Sequence, residues 1–194
     1  MGEETLLIVG NGFDLSMGFK TSYGDFMKSS FFPKYDSTLC SHLRKQFQEN
    51  MGWIDIEKEL SEFSSMLISM KQDAKKKHIK WEYDSFREEY EELKSSLKAY
   101  LQEETKRAFG PSPETPAKRV IDQLPAGSKI ISFNYTSIIE RMTRDRFCAL
   151  KSNLLHIHGS LAPNDDIVFG VEDSAKLPKE HVFLYKAHSR HLKV

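Results

Sequence analysis

The sequence predicts an α/β protein in which a parallel sheet carries a long helical insertion between its first two strands. Three observations predict this fold class. The run Leu6–Val9 is wholly apolar and ends at a glycine, as strands of a buried parallel sheet do. Two long stretches with helical spacing of apolar residues occupy the middle of the chain. Strand and helix patterns then alternate with short connections, which is typical of a Rossmann-like sheet.

The length and charge of the chain bound its organisation. At 194 residues it suits one domain, so we expect a single α/β domain over 1–194 with the helical insertion at 53–109 inside it. Lys+Arg and Asp+Glu are balanced at 28 each, so no overall field favours nucleic acid or an anionic membrane. General nucleic-acid binding is therefore not expected. The oligomeric state stays open.

Cysteine usage and hydropathy predict a cytoplasmic protein. Cys40 and Cys148 lack the paired spacing of zinc sites or disulfide frameworks, which favours a reducing compartment. The N-terminal apolar run is too short for a membrane span, and acids rather than bases precede it. We therefore expect no membrane attachment.

The first strand should be buried on both faces of the sheet, because its apolar run does not alternate with polar residues. Apolar groups then stand among Ser, Thr and Gly over 15–26, which predicts a turn, a short helix and a loop. No second strand follows promptly. The first two strands are therefore separated by a long segment, unlike in a simple alternation of strands and helices.

The helical insertion has the clearest periodicity in the sequence. Its apolar residues recur at helical spacings of three and four, which predicts two long amphipathic helices packed as an antiparallel pair. Asp55 and Glu57 open the first helix, where carboxylates are favourable, although Glu57 could instead face the crevice of the sheet. Three prolines between 111 and 116 end the insertion. The periodic positions are Ile56, Leu60, Phe63, Leu67, Met70 and Ala74, then Phe86, Tyr90, Leu93, Leu97 and Leu101.

Beyond the prolines the α/β pattern resumes. The predicted elements are a helix at 117–124, a strand at 129–133, a helix at 137–147, a strand at 154–158 and a strand at 167–169. Three polar clusters follow the predicted strands directly, at 10–14, 134–136 and 158–160. Because ligands bind at the carboxyl ends of strands in open α/β sheets, we expect these clusters to converge on one crevice.

The first cluster resembles a phosphate-binding loop only in part. Gly10 and Gly12 permit a sharp turn and a close approach by a ligand. Leu15 stands where a dinucleotide fingerprint has its third glycine, and no strand ending in an acid follows about 20 residues on, so a dehydrogenase is not expected. Asp14 suits ribose hydroxyls or the N-cap of a helix better than it suits a phosphate.

Two histidines in the third predicted strand raise a rival interpretation. His156 and His158 lie two positions apart, so an extended strand places both imidazoles on one face. Such a pair serves as metal ligands when a third ligand comes from elsewhere, although we expect no metal. The alternatives are a buried structural His156 and a reactive His158.

Taken together, four motifs resemble the bacteriophage abortive-infection AbiH family. They are GNGFDLSMGFKTSYGDF at 10–26, WIDIEKEL at 53–60, ISFNYTSIIE at 131–140 and HIHGSLAPNDDIVFG at 156–170. The resemblance implies a role in defence against bacteriophage. Members of that family usually run longer, so the tail at 186–194 resembles the end of a truncated copy.

The same strand ends are similar, more distantly, to the sirtuin-like NAD-consuming domains. That resemblance implies NAD or a related nucleotide as substrate or ligand, with Asn134 orienting the nicotinamide ribose or a water and His158 acting as the base. The cysteine pairs that bind zinc in sirtuin deacetylases are absent, so NAD cleavage is favoured over deacetylation. The residues expected to line the nucleotide are Gly10, Asn11, Gly12, Phe13, Asp14 and Gly159.

Two further functions compete with an NAD-hydrolysing enzyme. The absence of the sirtuin cofactor loop, together with Asp14, favours a non-catalytic nucleotide sensor or an interaction module in defence. A metal-dependent hydrolase built on His156 and His158 is the third hypothesis.

Overall fold

The computed structural model describes residues 5–34, 37–107, 114–125, 127–143 and 153–186. Strands, helices and one 3₁₀ helix follow each other in the order of a mixed α/β protein. The elements are β1 Leu6–Val9, α1 Asn11–Ser16, α2 Tyr23–Lys28, α3 Thr38–Glu49, α4 Ile56–Lys76, α5 Phe86–Thr105, α6 Pro116–Gln123, β2 Lys129–Ser132, α7 Ile138–Thr143, β3 Leu154–His156 and the 3₁₀ helix Lys179–Leu184.

The sheet in the described part of the chain has three parallel strands in the order β1-β2-β3. Ile8 pairs with Ile131 across the first ladder, and Ile131 pairs with Leu155 across the second. The predicted α/β class with a parallel sheet is thus confirmed. The helices α2 to α5 lie between β1 and β2 in the chain, where the sequence predicts a helical insertion.

Only one face of this sheet is covered by helices of the described residues. Val9 and Ile130 form a core with Ile121 of α6 and Ile139 of α7. On the opposite face Leu6 and Ile8 are 54% and 60% exposed. The prediction that Leu6–Val9 is buried on both faces is therefore wrong, because α6 and α7 both pack on the Val9 face.

The predicted strand at 167–169 is also wrong. These residues are buried but have no strand pairing in the structure. The ring of Phe169 stacks on Tyr90 with centroids 5.9 Å apart, and the Tyr90 hydroxyl donates to the Phe169 carbonyl at 2.6 Å. A short apolar run can be buried by a helix as readily as by a sheet, and here α5 supplies the partner.

The chain divides into two compact units. The first unit contains the sheet and comprises Met1–Ser22 and Lys98–Ile167. The second unit is helical and comprises Tyr23–Leu97 and Val168–Val194, so it is broader than the predicted insertion at 53–109. The expectation of one domain over the whole chain stays a prediction.

The helical unit confirms both predicted long helices. Within it α4 packs against α3, and Phe63 of α4 meets Phe86 at the start of α5 with ring centroids 5.1 Å apart. Their apolar stripes form the core as the periodicity predicts, except at Met70, which is 51% exposed. Its fully or almost fully buried side chains include Phe26, Leu39, Leu43, Ile56, Leu60, Phe63, Tyr90, Leu93 and Leu97.

Glu57 has partners inside the helical unit. The buried Lys186 ammonium lies 2.8 Å from Glu57 Oε2 and 2.7 Å from Glu172 Oε1. The Tyr23 hydroxyl donates to Glu57 Oε1 at 3.1 Å. Burial raises the pKa of Glu57, while the bonds from Lys186 and Tyr23 counteract the rise. These contacts give Glu57 a structural role.

Several sequence predictions fall outside the described residues. They concern residues 109–113 of the proline break predicted at 109–116, the last turn of the helix predicted at 137–147, Cys148, and the tail after Lys186. Within the described ranges, no helix combines the length and the apolar character needed to cross a membrane.

Asp55 caps α4, and its removal should destabilise the helical unit. Its carboxylate accepts a hydrogen bond from the Lys58 amide at 3.2 Å. We expect Asp55→Ala to lower the free energy of unfolding by about 0.5–2 kcal/mol, measured by urea denaturation followed by circular dichroism. Asp55→Asn retains a capping oxygen and should lose much less. Equal midpoints for Asp55→Ala and the wild type would contradict this role.

Candidate functional site

Asp14 is the buried centre of a polar cluster at the strand ends. It lies in the first turn of α1, and its side chain is 1% exposed. One carboxylate oxygen accepts from Asn134 Nδ2 at 2.9 Å, and the other accepts from Thr136 Oγ1 at 2.5 Å. The residue at the N-cap of α1 is Gly10, so the N-cap interpretation of Asp14 is wrong.

Asn134 joins the end of β1 to the end of β2. It follows β2 directly, and its amide nitrogen donates both to Asp14 and to the Gly10 carbonyl, the latter at 3.0 Å. Its backbone N–H is bound by the Ser132 hydroxyl at 3.2 Å. Asn134 is 8% exposed, so its amide nitrogen makes its hydrogen bonds in the interior of the unit.

His156 joins the end of β3 to the same cluster. Its Nδ1 lies 2.8 Å from the Asn134 carbonyl, which can only accept, so Nδ1 donates. Its Nε2 lies 2.8 Å from Glu140 Oε1 of α7. The strand-end cluster thus consists of Asp14, Asn134, Thr136, Glu140 and His156, and it links all three strands.

Burial and hydrogen bonding set the charges in the strand-end cluster. Burial raises the pKa of Asp14 to about 6, although the bonds from Thr136 and Asn134 oppose the rise. For His156 burial lowers the pKa, but the bond to Glu140 and the bond to the Asn134 carbonyl outweigh it, so the pKa is raised overall. A protonated His156 donates from both nitrogens, which satisfies both of its acceptors.

His158 lies beside the strand-end cluster rather than on the strand. β3 ends at His156 and the chain turns at 157–158, so the alternation that places both imidazoles on one strand face does not reach His158. Its ring contacts the rings of Phe133 and Tyr135, with centroids 5.4 Å and 6.4 Å apart. These aromatic side chains follow β2, so His158 remains near the strand ends.

A metal site does not form from the two histidines in the described residues. Both ring nitrogens of His156 are engaged by the Asn134 carbonyl and Glu140. The described part of the chain contains no group of three or more His, Cys, Asp and Glu side chains that could hold an ion. The metal-hydrolase hypothesis therefore lacks a ligand set there.

The glycine loop, Gly10-Asn11-Gly12, borders an open depression of about 380 Å³. A Cβ atom added at Gly10 or Gly12 would meet nothing within 4 Å, and Gly10 has an extended φ of −129°. The fold itself therefore does not require glycine at either position. Asn11 is exposed, whereas the Phe13 side chain also packs on the core beneath the sheet. The lining comes from residues 7–13, Ser16, Pro116, Ala117 and Val120.

Gly159 is glycine for an internal reason. Its φ is +71°, and a Cβ atom there would lie 1.9 Å from the Asp166 carbonyl oxygen. Only glycine satisfies both conditions without strain. Its part in binding a nucleotide stays a prediction, since the close contact with Asp166 already accounts for the residue.

Comparison with known proteins places the chain in a family. A family model described as bacteriophage abortive infection AbiH matches residues 6–193. The chain belongs to the AbiH family. This membership confirms the resemblance carried by the four motifs and implies a role in abortive-infection defence against phage. No curated protein and no solved structure gives a significant match to this AbiH-family chain.

Glu140 is the member of the strand-end cluster that sequence reasoning missed. It lies in the first turn of α7, and its partner His156 is 16 residues further along the chain. No local spacing connects the two positions. The signal that could have identified Glu140 was its position as a carboxylate at the end of the 131–140 motif of this AbiH chain, shortly after a strand of the sheet.

The buried Asp14 should make stability depend on pH. Its folded pKa of about 6 exceeds the 3.8 of an aspartate in the unfolded chain, so its contribution to stability is fully present below about pH 4 and is lost as pH rises through 6. Asp14→Asn removes this dependence. We expect the unfolding free energy of Asp14→Asn, relative to wild type, to rise by up to about 3 kcal/mol between pH 4 and 8 in urea titrations. A pH-independent difference between Asp14→Asn and the wild type would contradict the prediction.

Two glycine substitutions should separate structural glycines from permissive ones. Gly159→Ala forces a side chain into a positive φ and against the Asp166 carbonyl, so we expect a loss of about 1–3 kcal/mol or more in unfolding free energy. Gly12→Ala meets no neighbouring atom and should leave stability equal or slightly higher. Thermal and urea unfolding measure both effects, and a stable Gly159→Ala protein would refute the packing argument.

Proposed function

We propose that the first unit binds NAD or a related nucleotide beside its strand-end cluster and hydrolyses it during phage defence. The observation that carries this proposal is the convergence of Asp14, Asn134 and His156 from three strand ends beside the glycine loop. In open α/β sheets this edge is the usual place for ligands. Membership in the AbiH family supplies the setting of phage defence.

The glycine loop supports a ligand at this edge. Gly10 and Gly12 leave space that no described side chain fills, next to an open depression of about 380 Å³. A pocket of this size accommodates part of a dinucleotide, and its lining includes the glycine loop but neither Asn134 nor His158. Asn11 and Phe13 flank this approach. Gly159 shapes the loop that presents His158.

The residues of the strand-end cluster and the neighbouring His158 have different proposed roles. Asp14, with both oxygens engaged and 1% exposure, braces the loop from within and does not bind ribose directly. The amide nitrogen of Asn134 donates to Asp14 and to the Gly10 carbonyl, so its Oδ1 is the atom that orients a water or the nicotinamide ribose. His158 is the proposed base, because imidazole accepts a proton near neutral pH.

The proposed reaction is hydrolysis of the bond between nicotinamide and ribose. A water oxygen attacks the anomeric carbon, the carbon–nitrogen bond breaks, and its electron pair leaves with neutral nicotinamide. His158 accepts the proton from the water, and ADP-ribose is the second product. The rings of Phe133 and Tyr135 lie beside His158, with centroids 5.4 Å and 6.4 Å from its ring.

A non-catalytic nucleotide sensor is the second candidate. The observation that favours it is that Asp14 and both nitrogens of His156 are satisfied inside the protein. Groups whose hydrogen bonds are all made within the protein stabilise its structure but are poorly placed to react with a ligand. A sensor requires the same depression and glycine loop, without turnover.

Nicotinamide release distinguishes these functions. We expect the wild-type protein to release nicotinamide from NAD, measured by chromatography, and His158→Ala to lower the rate by about 10²–10⁴-fold. Gly12→Val should weaken NAD binding in calorimetry, because its side chain occupies the approach to the loop, while the urea midpoint is retained. Equal turnover by His158→Ala would overturn the catalytic role. Saturable binding without turnover would identify a sensor, and no binding would exclude both functions.

A further inference from the structure

The helical unit contains a cavity of about 270 Å³ with aromatic walls. We call it the aromatic cavity. It lies among the C-terminal half of α4, the segment leading into α5 and the 3₁₀ helix. Its aromatic lining residues are Trp81, Tyr83, Phe86, His181 and Phe183. All of its lining residues belong to the second unit, so it is a different site from the depression at the glycine loop.

The walls of the aromatic cavity favour a flat ring. Phe86 meets His181 and Phe183 edge to face, with centroids 5.0 Å and 5.5 Å away, so the aromatic surfaces are fixed by mutual packing. Stacking on such a surface stabilises a bound heteroaromatic base. The volume lies just below the range typical of drug-sized ligands, about 300–1,000 Å³, so one ring system fits and a dinucleotide does not.

His181 supplies a polar atom at the inner wall of the aromatic cavity. Its Nδ1 lies 2.7 Å from the Ser64 hydroxyl, and both residues are buried. Ser64 thus fixes the ring and leaves Nε2 as the nitrogen available to a ligand. Burial lowers the pKa of His181, which keeps the imidazole neutral at neutral pH. A neutral Nε2 pairs with a polar atom of an uncharged ring.

Four charged side chains line the rim of the aromatic cavity. Lys71 and Glu180 neutralise each other at 2.9 Å. Asp84 and Arg87 are exposed and, within the described ranges, form no ion pair, although the Arg87 guanidinium lies 5.8 Å from the Phe183 ring centroid. A carboxylate acceptor and a guanidinium donor therefore remain for a ligand whose edge carries both donors and acceptors.

We propose that the aromatic cavity is a binding site for a purine nucleoside, with guanine the best-matched base. The ring lies against Trp81 and Phe183, and the sugar extends into solvent. Guanine presents acceptors that suit Arg87 and N–H donors that suit Asp84.

Tryptophan emission provides a local test. The chain contains two tryptophans, so Trp53→Phe leaves Trp81 at the aromatic cavity as the single emitter. Guanosine is titrated into this variant, and we expect saturable quenching. Asp84→Ala and Arg87→Ala, both at exposed positions, should each weaken binding about tenfold, as expected for loss of a base-edge contact. Asp73→Ala, an exposed acid of α4 away from the cavity, is the matched control.

The outcomes separate this site from the one proposed at the strand ends. Calorimetry with guanosine on Gly12→Val should give the same affinity as the wild type, because that substitution lies in the other unit. Failure of NAD turnover leaves this result unaffected. The proposal is overturned by absence of saturable quenching, by unchanged affinity in both Asp84→Ala and Arg87→Ala, or by quenching with free phenylalanine but not guanosine.

Discussion

The buried carboxylate of Asp14 is the interaction on which the sheet-containing unit depends. A carboxyl group that is 1% exposed is tolerated only when its oxygens receive hydrogen bonds, and here Asn134 and Thr136 provide them. Asn134 can do so because its own carbonyl and amide are held by His156 and Gly10. The three strand ends are therefore positioned as one network, and a change at one of them alters the partners of the others.

Local patterns in the sequence were sufficient for much of the fold. The helices α4 and α5 and the strands β1 and β2 follow from periodicity and apolar runs, which depend on neighbouring residues. The meeting of the strand ends was also predictable, since parallel strands share an edge. The prediction of a strand at 167–169 is wrong because the buried partner of Phe169 is Tyr90, 79 residues earlier, and no local pattern indicates that contact. The pairing of Glu140 with His156 could not be predicted for the same reason.

The candidate site shows how one residue type serves different purposes. Gly159 is required by its positive φ and by the Asp166 carbonyl, whereas Gly10 and Gly12 meet no such demand. The sequence alone could not distinguish them, because the distinction depends on atoms far along the chain. The structure likewise separates Asp14, a buried brace, from Asn11, which is exposed at the same loop. Membership in the AbiH family gives this arrangement its setting in phage defence.

The two tryptophans have a consequence for any optical study of the protein. Trp53 and Trp81 both belong to the helical unit, and the unit that contains the sheet has none. Intrinsic indole fluorescence therefore originates in the helical unit alone. An indole within the sheet-containing unit has to be introduced by substitution, for example a tryptophan at the exposed Phe133.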